Sequence, residues 1–211
     1  MEKIKKHDLI VSNLNLLFPN AHCELEYKND FELIIAIILS AQTTDKAVNI
    51  VTKDLFCKYK SFNDIYKVSI LELANDIKRL GLFNNKAKSI KNVATFMVEN
   101  DLSIVPNDEK ILSNITGLGR KTINVFLSEW YCEPRMAVDT HVYRVSKRLG
   151  ITKKDDTILE TEKKLKKFFK EKEWTDMHHK LIFFGRYLCK ALKPECNQCP
   201  FNDICKKNSL E

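Results

Sequence analysis

An all-α fold is what the sequence predicts, and three observations predict it. Apolar residues recur at intervals of three and four along almost the whole chain, strand alternation is nowhere sustained, and capping residues stand where the helical periods begin and end. In chain order, Ile10/Leu14/Leu17 opens the series and "FELIIAIIL", Phe31 to Leu39, is the longest apolar run. Ala47/Val51/Leu55 follows, then a capping box of Ser69 with Glu72, and Gly81 where a helix should stop. Ile90/Val93/Met97 and Ile123/Phe126/Leu127/Trp130 continue the pattern, and Val142/Val145/Leu149 ends at Gly150. A second capping box, Thr157 with Glu160, starts Ile158/Leu165/Phe168, and Met177/Leu181/Phe184/Leu188 is the last period, about ten helices in all.

The chain has 211 residues and is 44% hydrophobic, enough for one ordinary domain or two small ones. Lys and Arg number 35 against 28 Asp and Glu, a net charge of +7, and the pI is near 8.9. That excess suits a polyanionic partner. The Phe31 to Leu39 run is too short to span a bilayer and contains Glu32. The start, "MEKIKKHDLI", lacks the apolar stretch and cleavage site of a secretion signal, so an intracellular protein with no membrane partner is expected. Seven cysteines, an odd number, then point to metal or redox use before disulfides.

Two segments echo one another. "GLFNNKAKSI" and "GLGRKTINVF" both run Gly-Leu, a short turn, Lys, then a helix, as two helical hairpins would. Glu133-Pro134-Arg135 marks a domain crossing. Within "GLGRKT", Gly117 to Thr122, two cations occupy the first turn of the helix that follows. The free N–H groups and dipole of a helix N-terminus disfavour cations there by roughly 0.3 to 1 kcal/mol each, so an external anion or a chemical role is implied.

The C-terminal stretch "CKALKPECNQCPFNDIC" places Cys189, Cys196, Cys199 and Cys205 in a C-x6-C-x2-C-x5-C pattern. Four thiolates in one loop-rich stretch select zinc or an iron-sulfur cluster. Four-cysteine zinc sites usually pair two C-x2-C knuckles and only Cys196/Cys199 is one, yet spacing alone leaves the two open. Lys190, Lys193, Lys206 and Lys207 partly offset the charge of such a centre. Cys23, Cys57 and Cys132 lack ligand spacing and are expected as core fillers.

Together, "LSAQTTD", "GLFNNKA", "ITGLGRKTINV", "VDTHVYRVSKRLG", "HHKLIFFGRYLC" and the four-cysteine spacing resemble the endonuclease III family over nearly the whole chain and in its order. The resemblance implies a helix-hairpin-helix DNA glycosylase fold with two helical domains. One, residues 23–134, would have six helices and carry the hairpin; the other, built from residues 1–22 and 135–211, would hold a [4Fe-4S] cluster on Cys189, Cys196, Cys199 and Cys205 in a C-terminal loop. It also implies a monomer acting on double-stranded DNA, removing an oxidised pyrimidine and nicking the resulting abasic site. One departure is visible: Thr116 stands where similar sequences usually carry Pro.

The implied roles suit the residue types. Gly117 and Gly119 let a backbone approach phosphate at a helix start, beside Arg120 and Thr122. Lys121 would be the nucleophile. An ordinary lysine, with a pKa near ~10.4, is neutral in about one molecule per thousand near pH 7, a handicap of ~4 kcal/mol. A helix N-terminus and a neighbouring cation both favour the neutral form of an amine. Asp139 is an N-cap candidate by pattern, and by resemblance the catalytic carboxylate. Flipping a base leaves a hole in the duplex; Gln42 and Leu82 match the family positions that fill it, Asp45 would border the pocket, and His141 would lie near DNA. The rival reading is a non-catalytic DNA-binding protein with a structural metal site.

Overall fold

The computed structural model describes residues 3–207, and its regular structure there is entirely helical. Eleven α-helices occur among the described residues, one more than the periods suggest. The chain forms two compact units, Glu24–Cys132 and the pair of segments Met1–Cys23 and Glu133–Glu211.

The middle unit is built around α2 (Asp30–Leu39), whose residues are nearly all buried. A helix apolar all round belongs at the centre of a core, and α2 packs against α3 (Asp45–Lys58), α6 (Phe83–Glu99) and α8 (Arg120–Tyr131). Asn29 caps it by accepting from the Glu32 backbone N–H at 2.8 Å. Asp30 is buried at 8% exposure and accepts from the Val105 N–H at 2.7 Å, so its charge is satisfied within the core. The short helices α4 (Phe62–Lys67) and α5 (Ile70–Asp76) cover one side of α6, and α7 (Glu109–Ser113) precedes the hairpin, giving seven helical segments in this unit.

The unit formed from both chain ends comprises α1 (Lys3–Leu17), α9 (Thr140–Arg148), α10 (Ile158–Phe168), α11 (Trp174–Phe183) and a π turn, Phe184–Leu188. Its core joins Ile10, Leu14, Val142, Val145, Leu165, Leu181 and Phe184. The Thr157/Glu160 box forms reciprocally, with Glu160 N to Thr157 Oγ1 at 3.2 Å and Thr157 N to Glu160 Oε2 at 2.7 Å. Ile158 is nonetheless 60% exposed; Leu165 and Phe169 carry the buried face instead.

Other expectations are corrected. Ser69 caps α5 through the Glu72 N–H, but the Glu72 carboxylate accepts from Lys58 at 2.9 Å rather than closing the box. Gly81 stops no helix: α5 has already unwound into a turn over Ile77–Leu80, and the residue in left-handed conformation is Leu82, at φ 59. Gly150 does stop α9, at φ 63. Cys57 and Cys132 are exposed and Cys23 half-buried, so they do not fill the core. Cys57 falls on the solvent face of α3, whose buried positions are Val48, Val51, Thr52 and Leu55, and Cys132 is the left-handed C-cap of α8.

Candidate functional site

The hairpin rises from residues 115–119 into α8. Gly119 is the N-cap and no side chain caps the helix, which leaves backbone N–H groups open at its positive end. The two glycines there serve different ends. Gly117 has φ 100, and a Cβ on it would stand 2.4 Å from Ser89 Oγ on α6, so its glycine is required by internal packing. Gly119 has ordinary φ of −81 and a Cβ there would meet nothing within 4 Å. Its open flank therefore leaves room for something from outside the fold. Lys121 and Thr122 follow in the first turn, Lys121 exposed and Thr122 half-buried. Arg120 is exposed and ion-paired to Glu109 at 3.2 Å, which ties α7 to the start of α8.

The remaining candidates of this unit lie on two turns. Gln42 sits between α2 and α3, exposed, at φ 53. Leu82 is the N-cap of α6, half exposed, at φ 59. Left-handed backbone costs a residue with a side chain roughly 1–2 kcal/mol, and such strain concentrates at functional positions. Asp45 is the first residue of α3, behind the Thr44 N-cap, where the dipole favours a carboxylate. A cavity of about 570 Å³ lined by Leu25, Tyr27, Phe56 and Lys60 lies elsewhere in this unit and contains none of these side chains.

In the other unit Asp139 caps α9, its Oδ1 accepting from the Val142 N–H at 2.7 Å. Capping engages one carboxylate oxygen and leaves the second available. His141 is half-buried and packs on Gly185, where a Cβ would stand 2.9 Å from the His141 Cβ. Burial, reinforced by Arg144 and Arg186 against the pull of Asp139, holds its pKa below the ordinary value. His178 is buried and its Nδ1 donates to the Ala137 carbonyl at 2.8 Å, a structural use.

The π turn after α11 brings Cys189 into the core at 8% exposure. Arg144 and Arg148, one turn apart on α9, hold the segment that follows. Arg144 donates to the carbonyls of Gly185 at 2.9 Å and Cys189 at 3.2 Å; Arg148 donates to the Lys190 carbonyl at 2.8 Å and the Cys189 Sγ at 3.5 Å. Phe201, fully buried against Phe184 at 5.2 Å between ring centroids, anchors the loop apart from any thiol. Burial pushes the Cys199 thiol up, and the Cys189, Cys205 and Cys196 sulfurs push it further, so all four sit within electrostatic reach. Among the described residues no three His, Cys, Asp or Glu side chains are placed to grip one metal ion. Four thiolates that share a neighbourhood are the ligand set an iron-sulfur cluster takes.

Sequence reasoning missed Arg144, Arg148, Ser89 and Asn92. The i, i+4 spacing of the two arginines was visible in "VYRVSKR". Nothing in the sequence marks Ser89 and Asn92, whose use depends on the hairpin resting against α6.

A short helix, a glycine-containing turn and a second helix with a lysine in its first turn, on an all-α frame, define a helix-hairpin-helix protein. Residues 35–171 match the model of the HhH-GPD superfamily base excision DNA repair proteins, and residues 189–205 match the iron-sulfur binding domain of endonuclease III. Endonuclease III of Bacillus subtilis (strain 168) is 46% identical over 98% of this chain and 94% of its own length. A solved non-covalent endonuclease III–DNA complex superposes with a TM-score of 0.94 at 44% identity, covering 99% of this chain and 97% of that one. A trapped endonuclease III–DNA covalent intermediate gives 0.93 at 45%, covering 99% and 98%. The chain belongs to the endonuclease III family, and with it carries a [4Fe-4S] cluster.

Proposed function

We propose that this chain cuts an oxidised pyrimidine from its sugar in double-stranded DNA and then nicks the strand at the abasic site, working as a monomer inside the cell. The observation that carries the reading is the placement of Lys121: exposed, in the first turn of an uncapped helix, on a hairpin held against α6.

The neutral Lys121 amine attacks the sugar C1′ while the bond to the base breaks; the electron pair leaves with the base, which takes up a proton. Asp139 supplies negative charge where the sugar turns positive and accepts the proton that the amine sheds. Ring opening gives an imine between Lys121 and C1′. That imine draws electrons from the C2′–H bond, the proton departs, the C3′–O bond breaks and the 3′ phosphate leaves. Water then hydrolyses the imine and returns the lysine.

The open N–H groups beyond Gly119 meet a phosphate, with Gly117, Arg120 and Thr122 supporting the turn; this contact positions DNA without reading its sequence. Gln42 and Leu82 occupy the hole left by the flipped nucleotide, Asp45 borders its pocket and His141 stands close to the duplex. Cys189, Cys196, Cys199 and Cys205 hold the cluster, which staples a segment with little apolar surface of its own.

Borohydride reduction with abasic-site duplex tests the reading. The native protein should be trapped covalently and Lys121→Ala should not; a native protein that never traps would return the binding-only alternative. Iron and labile sulfide in equal amounts, lost on replacing any of the four cysteines by Ser, test the ligand assignment. Affinity falling linearly in log salt tests the phosphate contact.

A further inference from the structure

Lys86 lies in the first turns of α6 at 3% exposure. Burying an ammonium is costly unless it is well paired, and burial does push its pKa down. Among the described residues its hydrogen-bond partner is one hydroxyl: Lys86 Nζ donates to Thr43 Oγ1 at 2.7 Å. The Thr43 hydroxyl in turn donates to the Ala41 carbonyl at 3.3 Å, and the Thr43 N–H to the Ser40 carbonyl at 3.1 Å. These two bonds close a four-residue turn with Gln42 at its third position, where the left-handed backbone usually calls for Gly or Asn. At its other end, the Lys86 backbone N–H donates to the Leu82 carbonyl at 3.0 Å.

The bond to Leu82 is the first backbone bond of the helix, which any residue here would make. It is therefore the Lys86 side chain that ties the Gln42 turn to the start of α6, where Leu82 is the N-cap. The two ends so joined carry the two exposed side chains assigned to the gap. Hydrophobic packing cannot account for a cation here. A Leu or Met would fill the same space without the desolvation cost, but could not hold the Thr43 hydroxyl.

We propose that Lys86 is a positioning residue that yokes the Gln42 and Leu82 turns, so that the two side chains enter the duplex as a single preset wedge. The proposal rests on the reading of Gln42 and Leu82 given above. Lys86 touches neither the lesion nor the reacting sugar; it acts by fixing the turns before DNA arrives, which spares the complex the entropy of ordering them.

The test is single-turnover base release from a thymine glycol duplex that carries 2-aminopurine opposite the lesion, whose fluorescence reports unstacking as the wedge enters. Lys86→Met and Thr43→Val should each slow release about tenfold, the scale of losing a hydrogen bond to a charged group, and delay the fluorescence rise. Thr43→Ser, which keeps the hydroxyl, should restore both to within about twofold. Should Lys86→Met fail to fold, the Thr43 pair decides alone. In the native background Gln42→Ala and Leu82→Ala should combine to less than the product of their separate effects, and in Thr43→Val they should multiply. Equal rates for Thr43→Val and Thr43→Ser, or the same combination of wedge substitutions in both backgrounds, would overturn the yoke. A native protein that releases no base would fail the functional reading instead, a separate and recognisable result.

Discussion

The Asn92 side-chain amide donates to the Thr116 carbonyl oxygen at 2.9 Å. Thr116 opens the hairpin turn, which is held from α6 by Asn92 at its start and by the Gly117–Ser89 contact one residue on. Asn92→Ala should therefore cost about 1 kcal/mol, the net value of one hydrogen bond. Gly117→Ala should cost about 2–4 kcal/mol, because it adds left-handed strain to a steric overlap. Thermal unfolding checks both, and DNA affinity should fall more steeply for Gly117→Ala.

Asp139 caps α9 and is the carboxylate proposed for catalysis, two roles that one substitution separates. Asn caps a helix about as well as Asp, so Asp139→Asn should leave the melting temperature within about 2 °C, a few tenths of a kcal/mol. Base release should nevertheless fall by about 10²-fold or more, since Asn brings no negative charge and accepts no proton. Single-turnover rates measured beside melting curves check the pair. A large loss of stability with no loss of rate would leave capping as the residue's whole contribution.

Strain at Leu82 and Gln42 can be read directly. Both Leu82→Gly and Leu82→Ala remove the side chain proposed as a wedge, but only glycine relieves φ 59. The Gly variant should be the more stable by about 1 kcal/mol, while both release base slowly. The same ordering is expected at Gln42, and chemical denaturation of the four variants measures it.

His7 on α1 provides a pH dependence. Burial disfavours its charge, but hydrogen bonds to Asp8 at 3.0 Å and Glu173 at 2.9 Å outweigh it and raise its pKa above the ordinary 6.5. For Glu173, burial opposes ionisation, and the Lys170 N–H with His7 outweighs that, lowering its pKa below 4.5. A raised histidine stabilises fully below its unfolded pKa and loses that contribution as pH climbs through the folded value; a lowered carboxylate does the reverse. The pair should add most stability between about pH 4.5 and 6.5. His7→Leu should lower the melting temperature within that window and flatten its fall with pH above it.

Helix positions and the metal-binding chemistry were legible in the residues themselves, because both are local: a period of 3.6, the Thr157/Glu160 box and four sulfurs within 17 residues need no distant partner. The positions of Lys121 and Asp139 at helix starts were legible for the same reason. Local rules failed where a distant group competed. Glu72 leaves its cap for Lys58, and Gly81 yields the left-handed position to Leu82. Lys86, the lysine of the "GLFNNKAKSI" segment, is buried against a hydroxyl 43 residues away. What the sequence by itself determined is the set of helices and the reactive groups it places at their ends. Only the tertiary structure decided which turns are strained and what holds them, because a hydrogen bond across the fold has no signature in the spacing of neighbours along the chain.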